Sequence, residues 1–233
     1  MIQGAKIVYT FPESGLVITE TVFLSLIVIV IATVICLFLT SDLKKVPTTK
    51  RQIIAEMLVG SVQNLVSKNM GDRFVKRYAP YIAALIAYSV LGSWLSLLGL
   101  RSITSDLNVT LSWGLMTFAM IHYHRFRTNG FIGYFKKFAE PIPVMLPINI
   151  ISDAITPVSM AFRHFGNVLG GAVISSLVIQ GLTAVNNMLG LPFPLLQIGT
   201  PAVLSLYFDL FSGALQAFVF AMLTMVFVSG EAS

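Results

Sequence analysis

The residues 21–41 carry no charge, and the run FLSLIVIVIATVICLFL lies at their centre. About 20 mostly apolar residues in a helix cross the hydrocarbon of a bilayer. An open chain there must satisfy every backbone polar group within itself, which leaves a helix or a closed barrel. A run this long and this rich in Leu, Ile and Val therefore predicts a spanning helix over 16–40. Four further segments read the same way, at 78–100, 109–125, 152–185 and 199–228. Charged residues make up 11% of the chain, whereas a soluble domain carries about 25%. The expected fold is all-α and integral to the membrane, as one domain over 1–233. The last two helices exceed the length a crossing needs, so tilt is expected of them.

The basic residues sit at the ends of the apolar runs. Lys44, Lys45, Lys50 and Arg51 follow the first; Arg73, Lys76 and Arg77 precede the second; Arg125, Arg127, Lys136 and Lys137 follow the third. By the positive-inside rule these mark cytoplasmic ends. Five crossings result, with the N-terminus outside and the C-terminus cytoplasmic beside Glu231. The net charge of +5 follows from these clusters, so it does not point to nucleic acid. Glu13 and Glu20 flank the first run where a cleavable signal would carry basic residues, so no such signal is expected. The single cysteine, Cys36, excludes a disulfide framework and reads as a small buried hydrophobe.

Between the first two spans, Ile53, Ile54, Met57, Leu58, Val62, Leu65 and Val66 recur at helical spacing, with Gln52, Glu56, Gln63 and Lys68 among them. This predicts an amphipathic helix over 51–70, lying on the membrane or a partner. Gly130 and Gly133 punctuate the segment after the third span. Pro141, Pro143 and Pro147 predict a connector or short re-entrant piece over 140–149. Asn, Gly and Pro predict a loop over 186–194. There is no internal repeat, nucleotide loop, nucleophile triad or metal-ligand cluster in the sequence. No cofactor, no metal and no catalytic site in this chain itself are expected.

The informative residues are polar groups inside apolar helices, because the bilayer makes them costly. Arg163 stands in TPVSMAFRHFGNVLGGAVISSLVIQ, apolar for more than two turns on either side. An arginine at the bilayer centre costs about 2.5–3.5 kcal/mol on insertion scales, and it does not lose its proton. It must face a polar cavity or an acidic partner; snorkelling to an interface is the plainer alternative. Asn167 and Gly170 share its face. Gly166, Gly170 and Gly171, close by, serve either packing within the chain or the approach of another subunit. On the fifth span, Asp209 and Gln216 are seven residues apart and share a face, with Ser205 and Ser212 extending the stripe. Asp209 then lies about 10 Å further out than Gln216, and Asp153 about 15 Å further in than Arg163, at about 1.5 Å per residue. Acid, arginine and acid in that order suit two polar half-paths separated by a fixed cation. A buried pair with Arg163 is the alternative for Asp209, and helix capping for Asp153. His164 lies about 100° round the helix from Arg163 and reads as packing or lining.

TPVSMAFRHFGNVLGG resembles the signature of subunit a of F-type ATP synthases, in which an arginine precedes Leu/His-Phe-Gly-Asn and small residues. SDLNVTLSWGL, PINIISDAITPVS and ALQAFVFAMLTMVFVS resemble further blocks of that family, in the same order, from about residue 11 to the C-terminus. Two positions depart from it. Many bacterial members carry a glutamate nine residues after the arginine and a histidine seven before the glutamine; here these are Ala172 and Asp209. The outer acid is thus relocated to the last helix. The resemblance implies a stator in a bacterial plasma membrane, beside a rotating c-ring and the peripheral-stalk subunit b. It implies that Arg163 faces the ring carboxylates and that Asp209, with Asn167 and Gln216, accepts protons on the outer path. It leaves proton or sodium coupling open, since the ring residues decide that. A stand-alone transporter, with Arg163 holding an anionic substrate, and a non-transporting scaffold are the competing readings.

Overall fold

The computed structural model describes residues 6–10, 17–41, 43–44, 49–139, 142–190 and 197–232. Glu13, Lys45, Pro141 and Pro194, each part of an expectation above, lie outside the described residues.

Two short strands come first, β1 (Ile7–Thr10) and β2 (Val17–Thr19), paired antiparallel. The helical periodicity of the rest gave no hint of this hairpin. Then follow α1 (Glu20–Thr40), α2 (Lys50–Met70), α3 (Asp72–Trp94), α4 (Leu107–Phe138), α5 (Leu146–Met188), α6 (Thr200–Ser205), a π-helical turn over Leu206–Ser212, and α7 (Gly213–Ala232). Among the described residues, four stretches are long and apolar enough to cross a membrane: Glu20–Thr40, Asp72–Leu98, Pro143–Met188 and Thr200–Glu231. The segment expected at 109–125 is helical within α4, but Asn108, Ser112, His122 and His124 dilute its apolar run.

Several boundaries differ from expectation: β2 takes up residues 17–19 of the first expected span, α3 starts at Asp72, and α5 runs on to Met188, into the loop expected over 186–194. The connector over 140–149 gives way to helix at Leu146, with Pro147 in the first turn. A proline is tolerated there because its missing N–H would have no helical partner. Helix α4 runs on past 125 to Phe138, but Gly130 breaks it with φ 66° and ψ −177°. Only glycine holds that backbone without a Cβ clash. The fifth span is not one α-helix, since the π turn divides it.

The core forms where α2, α3, α4, α5 and α7 meet, with Val66, Ile82, Ile121, Met160, Phe220 and Met225 buried together. A smaller cluster joins Leu24 and Val28 of α1 to Leu95 and Ile103. Thr21 Oγ1 donates to Asp106 Oδ2 at 2.8 Å, so α1 and α4 start side by side at the hairpin end of the bundle. Much of the outer surface is apolar, including Leu26, Val30, Val34 and Leu37 along α1. Cys36 is exposed on this helix, not buried as expected. A lone apolar helix gives each residue a lipid-facing option, and periodicity does not say which residues take it.

Helix α2 divides its apolar residues between two surroundings. Val66 and Met70 pack into the core, while Ile53, Met57 and Leu58 are exposed. Gln52, grouped above with the polar residues, is buried at 3% exposure. Its amide is paired with Lys44 O at 2.7 Å, Lys44 N at 3.2 Å and Glu56 Oε1 at 2.8 Å. Arg51 lies over the Phe38 ring, 4.1 Å from its centroid. These contacts tie the start of α2 to the end of α1.

Helices α4 and α5 touch backbone to backbone at Gly114. A Cβ there would lie 2.6 Å from the Pro157 carbonyl oxygen. Gly114→Val is expected to push the helices apart and cost about 1–3 kcal/mol, as overpacking does. Thermal unfolding of the purified subunit in detergent measures it.

Candidate functional site

Arg163 lies in the middle of α5 and is exposed on the surface of the described chain. It makes no hydrogen bond and no ion pair among the described residues. The face it shares with Gly166, Asn167 and Gly170 is open: a Cβ at Gly166 or Gly170 would meet nothing within 4 Å. These glycines are therefore not contact points for another helix of this chain. Gly171, round the helix, is one, because a Cβ there would lie 2.9 Å from Phe208.

At the level of this face α5 and α7 are joined by a polar contact. Asn167 Nδ2 donates to Gln216 Oε1 at 2.8 Å. Gln216 is 3% exposed, and an amide buried there needs such a partner. The structure thus brings together two of the residues singled out from sequence.

Asp209 sits within the π turn, half-buried, as do Ser205 just before it and Ser212 at its end. The wider turn interrupts the α-helical spacing by which Asp209 and Gln216 were expected to share a face. Gln216 points into the bundle toward Asn167. Asp209 makes no hydrogen bond or ion pair among the described residues, so the alternative of a pair with Arg163 is not seen. π turns inside α-helices are frequent at functional sites.

His164 is fully buried, with its ring edge-on to Trp113 at 5.4 Å and Phe220 at 6.2 Å. Its Nε2 lies 3.4 Å from Ser89 Oγ.

Asp153 lies well inside α5, so capping is not its role. It is held by Arg125, which also binds Glu231 twice at 3.1 Å, through Nε and Nη2. Lys137 Nζ reaches Glu231 Oε2 at 2.6 Å, and Phe138 stacks under the Arg125 guanidinium at 4.9 Å. Two cations and two anions here fasten α4, α5 and α7 at the end opposite the hairpin. Arg125 is 6% exposed. Along the sequence Arg125 stands out only as a basic residue marking topology; its place inside the limit of an expected span is the signal of a further role.

At the hairpin end, a cavity of about 660 Å³ is lined by Thr21, Ser25, Arg101, Ser105, Asp106 and Asn108, and reaches Phe165 and Leu169 on α5. Among the described residues, no three His, Cys, Asp or Glu side chains are grouped so as to hold a metal.

Comparison with known proteins bears on this arrangement. A family model described as ATP synthase A chain matches residues 22–229. The sodium ion specific ATP synthase subunit a of Propionigenium modestum is 33% identical over 245 residues, covering 98% of this chain and 78% of that protein. ATP synthase subunit a of Sulfurihydrogenibium sp. is 31% identical over 216 residues, covering 91% of this chain and 96% of its own length. That of Acidothermus cellulolyticus is 29% identical over 214 residues, covering 89% and 74%. Matched by one family model from the start of α1 almost to the end of α7, this chain belongs to the ATP synthase subunit a family.

Proposed function

We propose that this chain is the ion-conducting stator of an F-type ATP synthase, with Arg163 set against the carboxylates of a rotating c-ring. The observation that carries the proposal is an intramembrane guanidinium on an open face, without a partner among the described residues of its own chain. A charge so placed calls for an anion from outside. Gly166 and Gly170 leave room for the helix that brings it.

The chemistry follows from the charge. A guanidinium within about 4–6 Å favours the ionised form of a carboxylate. A ring carboxylate arriving at Arg163 releases its proton toward the cytoplasm. Past Arg163 it is reloaded from the outer path and, once neutral, can turn to lipid. A fixed cation also repels protons, so the two half-paths do not short-circuit. The membrane potential supplies about 2.3 kcal/mol per charge per 100 mV.

In this reading α1, α3, α4, α5 and the α6–α7 unit make five crossings. The hairpin end is outside, and the Arg125–Asp153–Glu231 end is cytoplasmic. The polar cavity at the hairpin end opens the outer path. Asp209 is its proton acceptor, Asn167 and Gln216 line its inner limit, and Ser205 and Ser212 flank the acid. Asp153 borders the inner path. The c-ring, the peripheral-stalk subunit b and the lipid of a bacterial plasma membrane are the partners. One relative is named sodium specific, so the transported ion is an experimental variable.

Asp209→Asn tests the outer path. In vesicles holding the whole complex, the variant is expected to take up protons about a hundredfold more slowly, the lower end of what a placed acid–base group contributes. Unchanged uptake across pH removes Asp209 from the path. ATP hydrolysis with and without added sodium identifies the ion. Purification in mild detergent is expected to bring a c-ring and a peripheral ATPase with the chain.

A further inference from the structure

The buried stripe of α7 runs through Gly213, Gln216, Phe220 and Thr224. Residues three and four apart share one face of an α-helix. Carried back four residues from Gly213, the same stripe reaches Asp209. Its side chain is nevertheless half-buried, whereas Gln216 is 3% exposed and Phe220 and Thr224 are 1% exposed. The π turn over Leu206–Ser212 accounts for the difference. Such a turn takes in an extra residue, which rotates the chain before it by about 100° relative to an unbroken α-helix.

Phe208 packs against α5 in place of the acid. Gly171 is buried on that helix, and a Cβ added to it would lie 2.9 Å from the Phe208 side chain. At the other end of the turn, a Cβ at Gly213 would lie 2.8 Å from Ser93 Cβ on α3. The turn is thus gripped at two glycine contacts, one on each neighbouring helix. Turns of this kind are rare, so contacts from outside the helix must hold one in place. The consequence falls on Asp209. On the buried stripe its carboxyl would be desolvated and held neutral, and water would not reach it. Half-buried and without a hydrogen bond or ion pair among the described residues, it can take up a proton and give it away.

We propose that Phe208, seated on Gly171, is a positioning residue for proton uptake: it holds the extra residue of the π turn and so keeps Asp209 off the buried Gln216 face. This rests on the stator reading above, in which Asp209 serves the outer path. Phe208 itself touches no proton. An O–H bond forms on the Asp209 carboxylate when a proton arrives from outside. It breaks when an ionised ring carboxylate takes that proton, so Asp209 is regenerated and no co-reactant is needed. The position of the extra residue in the chain decides the direction of the acid. Removed before Asp209, it leaves seven residues of plain α-helix from Asp209 to Gln216, and the two share a face. Removed after Asp209, it leaves six, and the acid keeps its present direction.

The test compares two single-residue deletions in the whole complex in vesicles, with proton uptake driven by a potassium diffusion potential. Deletion of Leu206 removes the extra residue before the acid, and deletion of Leu210 removes one after it. The first is expected to be as slow as Asp209→Asn, about a hundredfold below wild type, while the c-ring still co-purifies. The second is expected to stay near the wild-type rate. A lesion that was merely structural would slow both alike. Equal rates in the two deletions, or a wild-type rate without Leu206, overturn the proposal. Should the deletions fail to assemble, Gly171→Ala displaces Phe208 without shortening the chain. It is expected to slow uptake in the otherwise wild-type subunit and to add nothing to Asp209→Asn. A wild-type rate in Gly171→Ala, or the same fold-slowing in the Asp209→Asn background, overturns the positioning role. Arg163→Ala in the same vesicles separates the two ideas: ATP-driven pumping by that variant defeats the stator reading, whereas its silence beside equal rates in the two deletions defeats only the role of the turn.

Discussion

Arg163→Ala is expected to abolish coupled ATP synthesis while leaving the subunit at least as stable as the wild type. The two halves of this result have different causes. Synthesis stops because no other cation lies on the open face of α5 to ionise a passing carboxylate and block a direct leak. Stability is retained because Arg163 makes no hydrogen bond or ion pair among the described residues. Removing it also relieves an insertion cost of about 2.5–3.5 kcal/mol. ATP synthesis in inverted vesicles reads the first half, and thermal unfolding of the detergent-solubilised complex reads the second. ATP-driven proton pumping retained in the variant refutes the central role. Lost synthesis with a collapsed complex means that Arg163 is structural. Arg163→Lys is expected to fail as well, because an ammonium on a flexible stem lacks the planar fork of a guanidinium.

Arg125→Ala should do the reverse. Arg125 is buried and holds Asp153 and Glu231 at once, so its loss strands Asp153 and leaves Glu231 to Lys137 alone. Breaking a buried ion pair from one side costs about 3–5 kcal/mol. Little folded subunit is expected in membranes, and what is recovered should unfold at markedly lower temperature. Asp153→Asn is expected to be milder, since Glu231 still holds the guanidinium. It also separates two roles for Asp153. Slower proton release at near-normal stability places it on the inner path; lowered stability with normal flux makes it only a partner of Arg125. The distinction matters for Arg163, which lies ten residues along the same helix and takes its depth from how that end is fastened.

Much of the candidate site could be read along the chain. Arg163, Asp209 and Gln216 stand out because the apolar residues around them make any polar group conspicuous. Asn167 follows from helical spacing alone, and its bond to Gln216 agrees with two helices meeting at one depth. Arg125 and Glu231 did not stand out as partners, since charges at the ends of spans are expected on topological grounds. The buried hydroxyls of Ser89, Ser93, Ser102 and Thr104 were equally hidden. A hydroxyl in a membrane helix costs little, because it can bond to its own backbone, as Ser96 Oγ does to Ser93 O at 2.7 Å. Only packing tells such a residue from one that faces a neighbouring helix.

The sequence by itself determined that this chain enters a membrane, roughly where its helices run and which charged residues interrupt its apolar runs. Those properties depend on the transfer energy of short segments, and that energy adds up locally. The tertiary structure decided which faces are covered and which stay open. It turned Gln216 inward, left Arg163 outward, unwound the last helix into a π turn at Asp209 and tied Asp153 to Arg125. These outcomes depend on how side chains from distant segments fit together, and no periodicity along one helix encodes that fit.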